Sequence, residues 1–309
     1  MVTDIERKIE EKQLSLKDVD RLLIEISWLK YPEMIRKLLE YKKLPADCLA
    51  PIMKTDAEIK AEWKTEKLPD GTLKLANYKG TDTVVVIPVK IGKVIVSEIG
   101  DYALSVKKTP LKRDLKENRA KIKEVRIPNT IKSIGESAFE ACENLEKVTW
   151  TSSPVTISKN AFKDCAKLAY IDLHESTKIL GEGAFRGCQS LEQVIVPEGV
   201  QLSRGLFSEC SKVKKIVLPG GVKTLPDNIF NRCTNLVDVN LPDGLSDIEW
   251  AAFYECKNLP SLVIPDTVES IAENHYGSFY GCKKLVLLVK AGSYGEQYAK
   301  TNNIPYAIA

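Results

Sequence analysis

The spacing of the phenylalanines constrains this chain more than any other feature. Phe139, Phe162, Phe185, Phe207, Phe230, Phe253 and Phe279 are all the phenylalanines it has, and each stands three residues before a cysteine: Cys142, Cys165, Cys188, Cys210, Cys233, Cys256 and Cys282. Three residues further on comes Leu145, Leu168, Leu191, Leu236, Leu259 or Leu285, with Val213 in the remaining case. The steps between successive phenylalanines are 23, 23, 22, 23, 23 and 26 residues, the last lengthened by an insertion near Glu273. An apolar set recurring at one period marks a chain built by stacking a small unit on copies of itself.

Each unit reads as a strand and a return. Leu191, Val194, Val196 and Pro197 make an extended run, as do Leu236, Val239, Leu241 and Pro242, and Leu259, Leu262, Ile264 and Pro265. The aliphatics at the end of the run alternate with period two, as a half-buried strand requires, and proline stops it because it has no N–H for the ladder. A second aliphatic lies five residues before each Phe in most units (Ile134, Ile157, Leu180, Leu202, Leu225, Ile248), and a small residue such as Ala138, Ala161, Ala184 or Ala252 precedes the Phe. One unit cannot bury these faces alone, whereas stacked units bury them in a continuous column. A period in the 20–29 residue range with one strand per unit is that of leucine-rich repeats. The prediction is an α/β leucine-rich-repeat solenoid over residues 69–309, with about seven regular repeats.

The ends differ from the middle. Residues 71–104 form a degenerate first repeat, in which Val84-Val85-Val86-Ile87-Pro88 is the strand and Leu104 stands in the Phe position. Residues 291–309 predict a helix–strand cap: Ser293 and Glu296 start a helix running to about Lys300, and Tyr306-Ala307-Ile308 supplies a closing strand. Residues 1–68 predict a helical region, with helices near 16–30, 33–43 and 46–63, that either caps the first rung or serves as a separate interaction module. The turn Pro69-Asp70-Gly71 ends it.

Chemistry is sparse. The net charge is +3 and the two histidines are His174 and His275. No Cys-x-x-Cys pair, phosphate loop, dinucleotide fingerprint or His-Glu-x-x-His string occurs. The reading is a protein that is not an enzyme, with no catalytic residues, no metal and no cofactor. The repeat cysteines and Cys48 read as reduced, buried small hydrophobes, and both histidines as structural or surface residues.

Two faces could meet a partner. The strand positions that the core does not use are Thr149, Asp172, Ile195, Val217, Asn240 and Val263, flanked by Lys147, Tyr170, Gln193, Lys215, Asp238 and Ser261. Stacked in register, they form two columns, and an apolar stretch on such a face often marks an interaction surface; β-propensity alone would also place such residues there. The second face is the insertion 105–123, where Lys107, Lys108, Lys112, Arg113, Lys116 and Arg119 suggest a polyanion site or a solvated connection. No aromatic is interleaved with them, which argues against single-stranded nucleic acid. The leading reading is a monomeric scaffold for another protein, and the alternative is a polyanion or nucleic-acid binder through 105–123.

Ile134-Gly135, Ala138-Phe139, Cys142, Leu145 and Val148, repeated down the chain, resemble the BspA-like bacterial leucine-rich repeats, as does the ending from Ala291 to Tyr306. Trp150 and Thr151 depart from that family's usual Ile and Pro. The resemblance implies the solenoid fold and an adhesin-like protein at a bacterial surface that binds host or cell-surface proteins. No run of apolar residues is long enough to span a bilayer, and residues 1–6 do not resemble a leader. A native Met1 therefore implies the cytoplasm, and a removed leader implies the surface or secretion.

Overall fold

The computed structural model describes residues 54–150, 154–273 and 277–309. The expected helices at 16–30 and 33–43, with Cys48 and His275, lie outside these residues. Within them the repeat becomes a β-solenoid whose rungs have three sides.

The first side is the predicted strand. Val84–Val86 pairs in parallel with Glu124–Ile127 and that with Lys147–Trp150. Gln193–Ile195, Lys215–Val217 and Asp238–Val239 form a second sheet, and Ser261–Val263, Val286–Val289 and Tyr306–Ile308 a third. Partners are in register, Val125 opposite Val148 and Val194 opposite Ile216. These residues alternate with outward neighbours and are buried, as the period-two pattern requires. The second side is a ladder of two-residue strands such as Ser133–Ile134, Thr156–Ile157 and Ile179–Leu180, whose inward Ile134, Ile157 and Leu180 are fully buried. Leu202 is only partly buried, because its rung joins this ladder through a single bridge, Ile179 to Gln201.

The third side carries Phe-x-x-Cys and is a run of tight turns. The residues two before and two after Phe take left-handed φ: Ser137 and Ala141 at 51° and 59°, Asn160 and Asp164 at 54° and 59°, Gly205 and Glu209 at 62° and 64°. That alternation aims every second peptide along the solenoid axis. The N–H groups of Ser137, Phe139 and Ala141 donate to the carbonyls of Lys159, Ala161 and Lys163 in the next rung at 2.8–2.9 Å. The turns are thereby stitched together as firmly as the strands.

Inside, the phenyl rings stack. Consecutive centroids from Phe139 to Phe279 lie 5.0, 5.6, 5.9, 6.3, 5.3 and 5.4 Å apart, five of the six pairs being stacked and Phe230–Phe253 tilted. Each thiol also has a partner. Cys165, Cys188, Cys210, Cys233, Cys256 and Cys282 point their sulfurs at the carbonyls of Phe139, Phe162, Phe185, Phe207, Phe230 and Phe253, 3.0–3.3 Å away. Cys142 meets the carbonyl of Leu104, which confirms Leu104 as the stand-in for Phe. The sequence revealed the burial but not this ladder of thiol donors. All seven of these cysteines are free, six of them buried.

Helix α1 (Asp56–Glu62) starts on a capping box between Thr55 and Glu58. It stops earlier than the helix expected to run to residue 63, because Trp63 opens a strand, Trp63–Lys67, and packs on Tyr78 at 4.8 Å between centroids. That strand pairs antiparallel with Leu73–Tyr78, so the Pro69-Asp70-Gly71 turn lies within a hairpin joined to the repeat's own sheet. Helix α2 (Arg113–Ala120) lies in the basic insertion. Helix α3 (Tyr294–Thr301) starts at Ser293, whose side chain accepts from Glu296 N–H. Tyr298 from α3 meets Phe279 edge-on and closes the column of rings.

Candidate partner-binding face

The strand face is built from outward side chains on the first side of each rung. Its register brings Gln193, Lys215 and Asp238 into one file and Ile195 and Val217 into another. Ile195, Tyr170 and Val263 are 56%, 60% and 57% exposed, among the most exposed large apolar side chains of the described residues. Lys147, Asp172 and Ser261 are also exposed.

The columns expected to run unbroken do not. Residues 168–174 form no strand, so Tyr170 and Asp172 leave the ladder between Lys147–Trp150 and Gln193–Ile195. The indole of Trp150, the position that departs from the family pattern, donates to the carbonyl of Asp172 across this gap. Partial burial, and then the Asp172 carboxylate beside it, hold the Tyr170 hydroxyl above its ordinary range.

Three other residues are less available than the alternation implied. Val217 is half-buried. Thr149 is half-buried, and its hydroxyl is enclosed without a hydrogen-bond partner among the described residues. Asn240 accepts from the Leu218 N–H at 3.0 Å and donates to the Leu218 carbonyl at 3.2 Å, so its amide continues the ladder where the strand has ended. Lys215 and Asp238 pair with each other at 2.7 Å, which neutralises the middle of the flanking file. An exposed pair of this kind adds little stability. Leu288, opposite Val263, extends the apolar file to the last rung and was missed by the sequence reading. The alternation of Val286 and Leu288 with the buried Leu287 and Val289 is the signal that would have found it.

The basic segment divides in two. Lys107, Lys112, Arg113 and Lys116 are exposed, with Arg113 paired to Glu117 at 2.9 Å on α2. Lys108 and Arg119 belong to the protein's own framework, which corrects their place in the candidate anion site. Lys108 is half-buried and reaches the Ala76 carbonyl and the Asn77 side chain. Arg119 has no exposed surface. Its guanidinium donates to the carbonyls of Tyr78, Tyr102 and Ser105 and to the Asn77 Oδ1, at 2.7–3.3 Å. Ser105 stands in the first rung where Glu140 stands in the next, and the Glu140 carbonyl accepts from the Val106 N–H of the rung before; at Ser105 the Arg119 guanidinium takes the place of that missing donor. Burial pulls its pKa down to about 10, so it stays charged at neutral pH.

Among the described residues, no group of three or more His, Cys, Asp or Glu side chains gathers to hold a metal ion, and no helix is long and apolar enough to cross a membrane. His174 accepts from the Ser176 N–H within a surface turn.

Fold and faces together define a leucine-rich-repeat solenoid, a class of protein whose repeats typically form scaffolds rather than active sites. The model of the BspA type leucine rich repeat region matches residues 115–204 and 200–289, with six copies, and the chain belongs to that family. A leucine-rich-repeat protein of T. pallidum is similar in structure, with 26% identity and a TM-score of 0.56 over 65% of this chain and 89% of its own. One from Bacteroides ovatus is 25% identical with a TM-score of 0.50, covering 74% of this chain and 70% of its own. No curated protein matches the chain.

Proposed function

We propose that this protein is a scaffold that binds another protein through its strand face, as an adhesin-like module toward host or cell-surface proteins. The observation that carries this reading is the exposure of Ile195 and Val263, apolar side chains held outward on rigid, stacked strands. A rigid surface loses little conformational entropy on binding, and buried apolar anchors dominate interface energies. The break at Tyr170 supports the same reading, because it puts an aromatic ring with a polar tip beside that face.

The test is affinity capture with the wild-type chain and with Ile195→Asp combined with Val263→Asp. Both positions are exposed, so the variant should melt like the wild type. The partner captured by the wild type should disappear with the variant. An identical set of partners on both baits would refute this use of the face.

A further inference from the structure

The turn side of the solenoid carries a hollow that the strand-face reading does not use. Its volume is about 410 Å³, within the range of small-molecule sites. It exists because two successive rungs have glycine two residues before Phe. At Gly205 a side chain would enter open space, and the equivalent positions one rung outward on each side are Asn160 and Asn228. Ser208, also short, forms the floor, and Trp250 and Tyr254 stand at one wall.

Three features of the lining point to a ligand. Most of its charges are already matched: Glu182 with Lys159 at 3.0 Å, Arg186 with Glu209 at 2.7 Å, and Arg232 with Glu255 at 3.4 Å. Arg204 is exposed and makes no ion pair among the described residues, so the hollow keeps one cation for one anion. Ser208 lines the hollow, and its hydroxyl has no hydrogen-bond partner among the described residues, so it is open to a ligand there. The indole of Trp250 is half-buried at the wall, and its N–H likewise has no partner among those residues.

We propose that this hollow binds an acidic sugar, a pyranose carrying one carboxylate. Arg204 takes the carboxylate, since a guanidinium offers it two parallel N–H donors. The apolar C–H face of the ring lies on the Trp250 indole, and the Ser208 hydroxyl and Trp250 N–H meet ring hydroxyls. A simple anion would use Arg204 alone, and a neutral sugar would leave it unmatched.

The experiment uses the full chain with D-glucuronate, D-glucose and sodium acetate as probes, read by saturation-transfer NMR and calorimetric titration. Glucuronate should bind, and glucose and acetate should each bind about tenfold more weakly. Arg204→Gln should weaken glucuronate by about tenfold without changing the melting temperature. Gly205→Asn should do the same by filling the hollow, and the fold tolerates it because Asn228 already holds the left-handed conformation in the equivalent place. If Gly205→Asn did not fold, the surface change Arg204→Gln would still decide. The proposal is overturned by any of three results: no transfer to glucuronate at about 10 mM, acetate binding as tightly as glucuronate, or unchanged affinity in Arg204→Gln.

Discussion

Arg119 shows how a single side chain serves this fold. Stacking the turns aligns their peptides, and at the first rung the Ser105 carbonyl has no donor from a rung before it. A buried guanidinium with no carboxylate partner would ordinarily be costly. Here three carbonyls and one amide oxygen replace its water, and it in turn replaces theirs. Removing it strands both the carbonyls and their neighbours. Arg119→Met should therefore destabilise the chain by about 3 kcal/mol in urea titration, whereas Lys116→Met on the same helix should change stability by less than about 0.5 kcal/mol. Equal effects from the two would contradict the assigned role. By charge alone Arg119 groups with the basic residues of 105–123. Helical spacing held the correction, since Leu115, Arg119 and the buried Ile122 fall on one inward stripe.

At the scale of the rung, the cysteines tie each turn to the one before. Burial raises every one of the six enclosed thiols, the Cys142 and Cys210 thiols up to about 12 from an ordinary 9. A group whose folded pKa is raised loses its stability as pH climbs through the interval, because the unfolded chain releases the proton first. Below about pH 9 the thiols are protonated in both states and stability is flat in pH on their account. Between about 9 and 12 the Cys142 and Cys210 thiols each remove ~1.4 kcal/mol per pH unit, and the other four, which burial also holds well above 9, act in the same direction. Unfolding free energy measured against pH should fall above 9, and the double change Cys188→Ala with Cys233→Ala should make that fall shallower. A slope unchanged by the double substitution would show that the thiols do not titrate this way. The sequence could say that these cysteines are buried, from their place in the apolar frame. It could not show their donor role, which depends on carbonyls from a different rung.

For the whole molecule, the sequence carried the solenoid, its inward residues and its C-terminal cap, because each rests on a period repeated many times over. It carried less wherever one rung departs from the rest. The strand lost at 168–174 follows from no residue of that rung read alone, and it divides a face that alternation had drawn as continuous. The left-handed turns were only partly signalled, since glycine holds these positions at Gly183, Gly187, Gly205 and Gly281 but Ala141, Glu209 and Arg232 hold them in other rungs. What unites the molecule is the column of aromatic rings, which every other contact presupposes. The chain has only seven phenylalanines, so selective labelling of their ring protons gives a spectrum of the column and nothing else. Nuclear Overhauser contacts should link each phenylalanine to the next, from Phe139 through Phe279, and should be missing between alternate members such as Phe139 and Phe185. Strong contacts between alternate rings, or none between consecutive ones, would contradict the stacked column and the solenoid built around it.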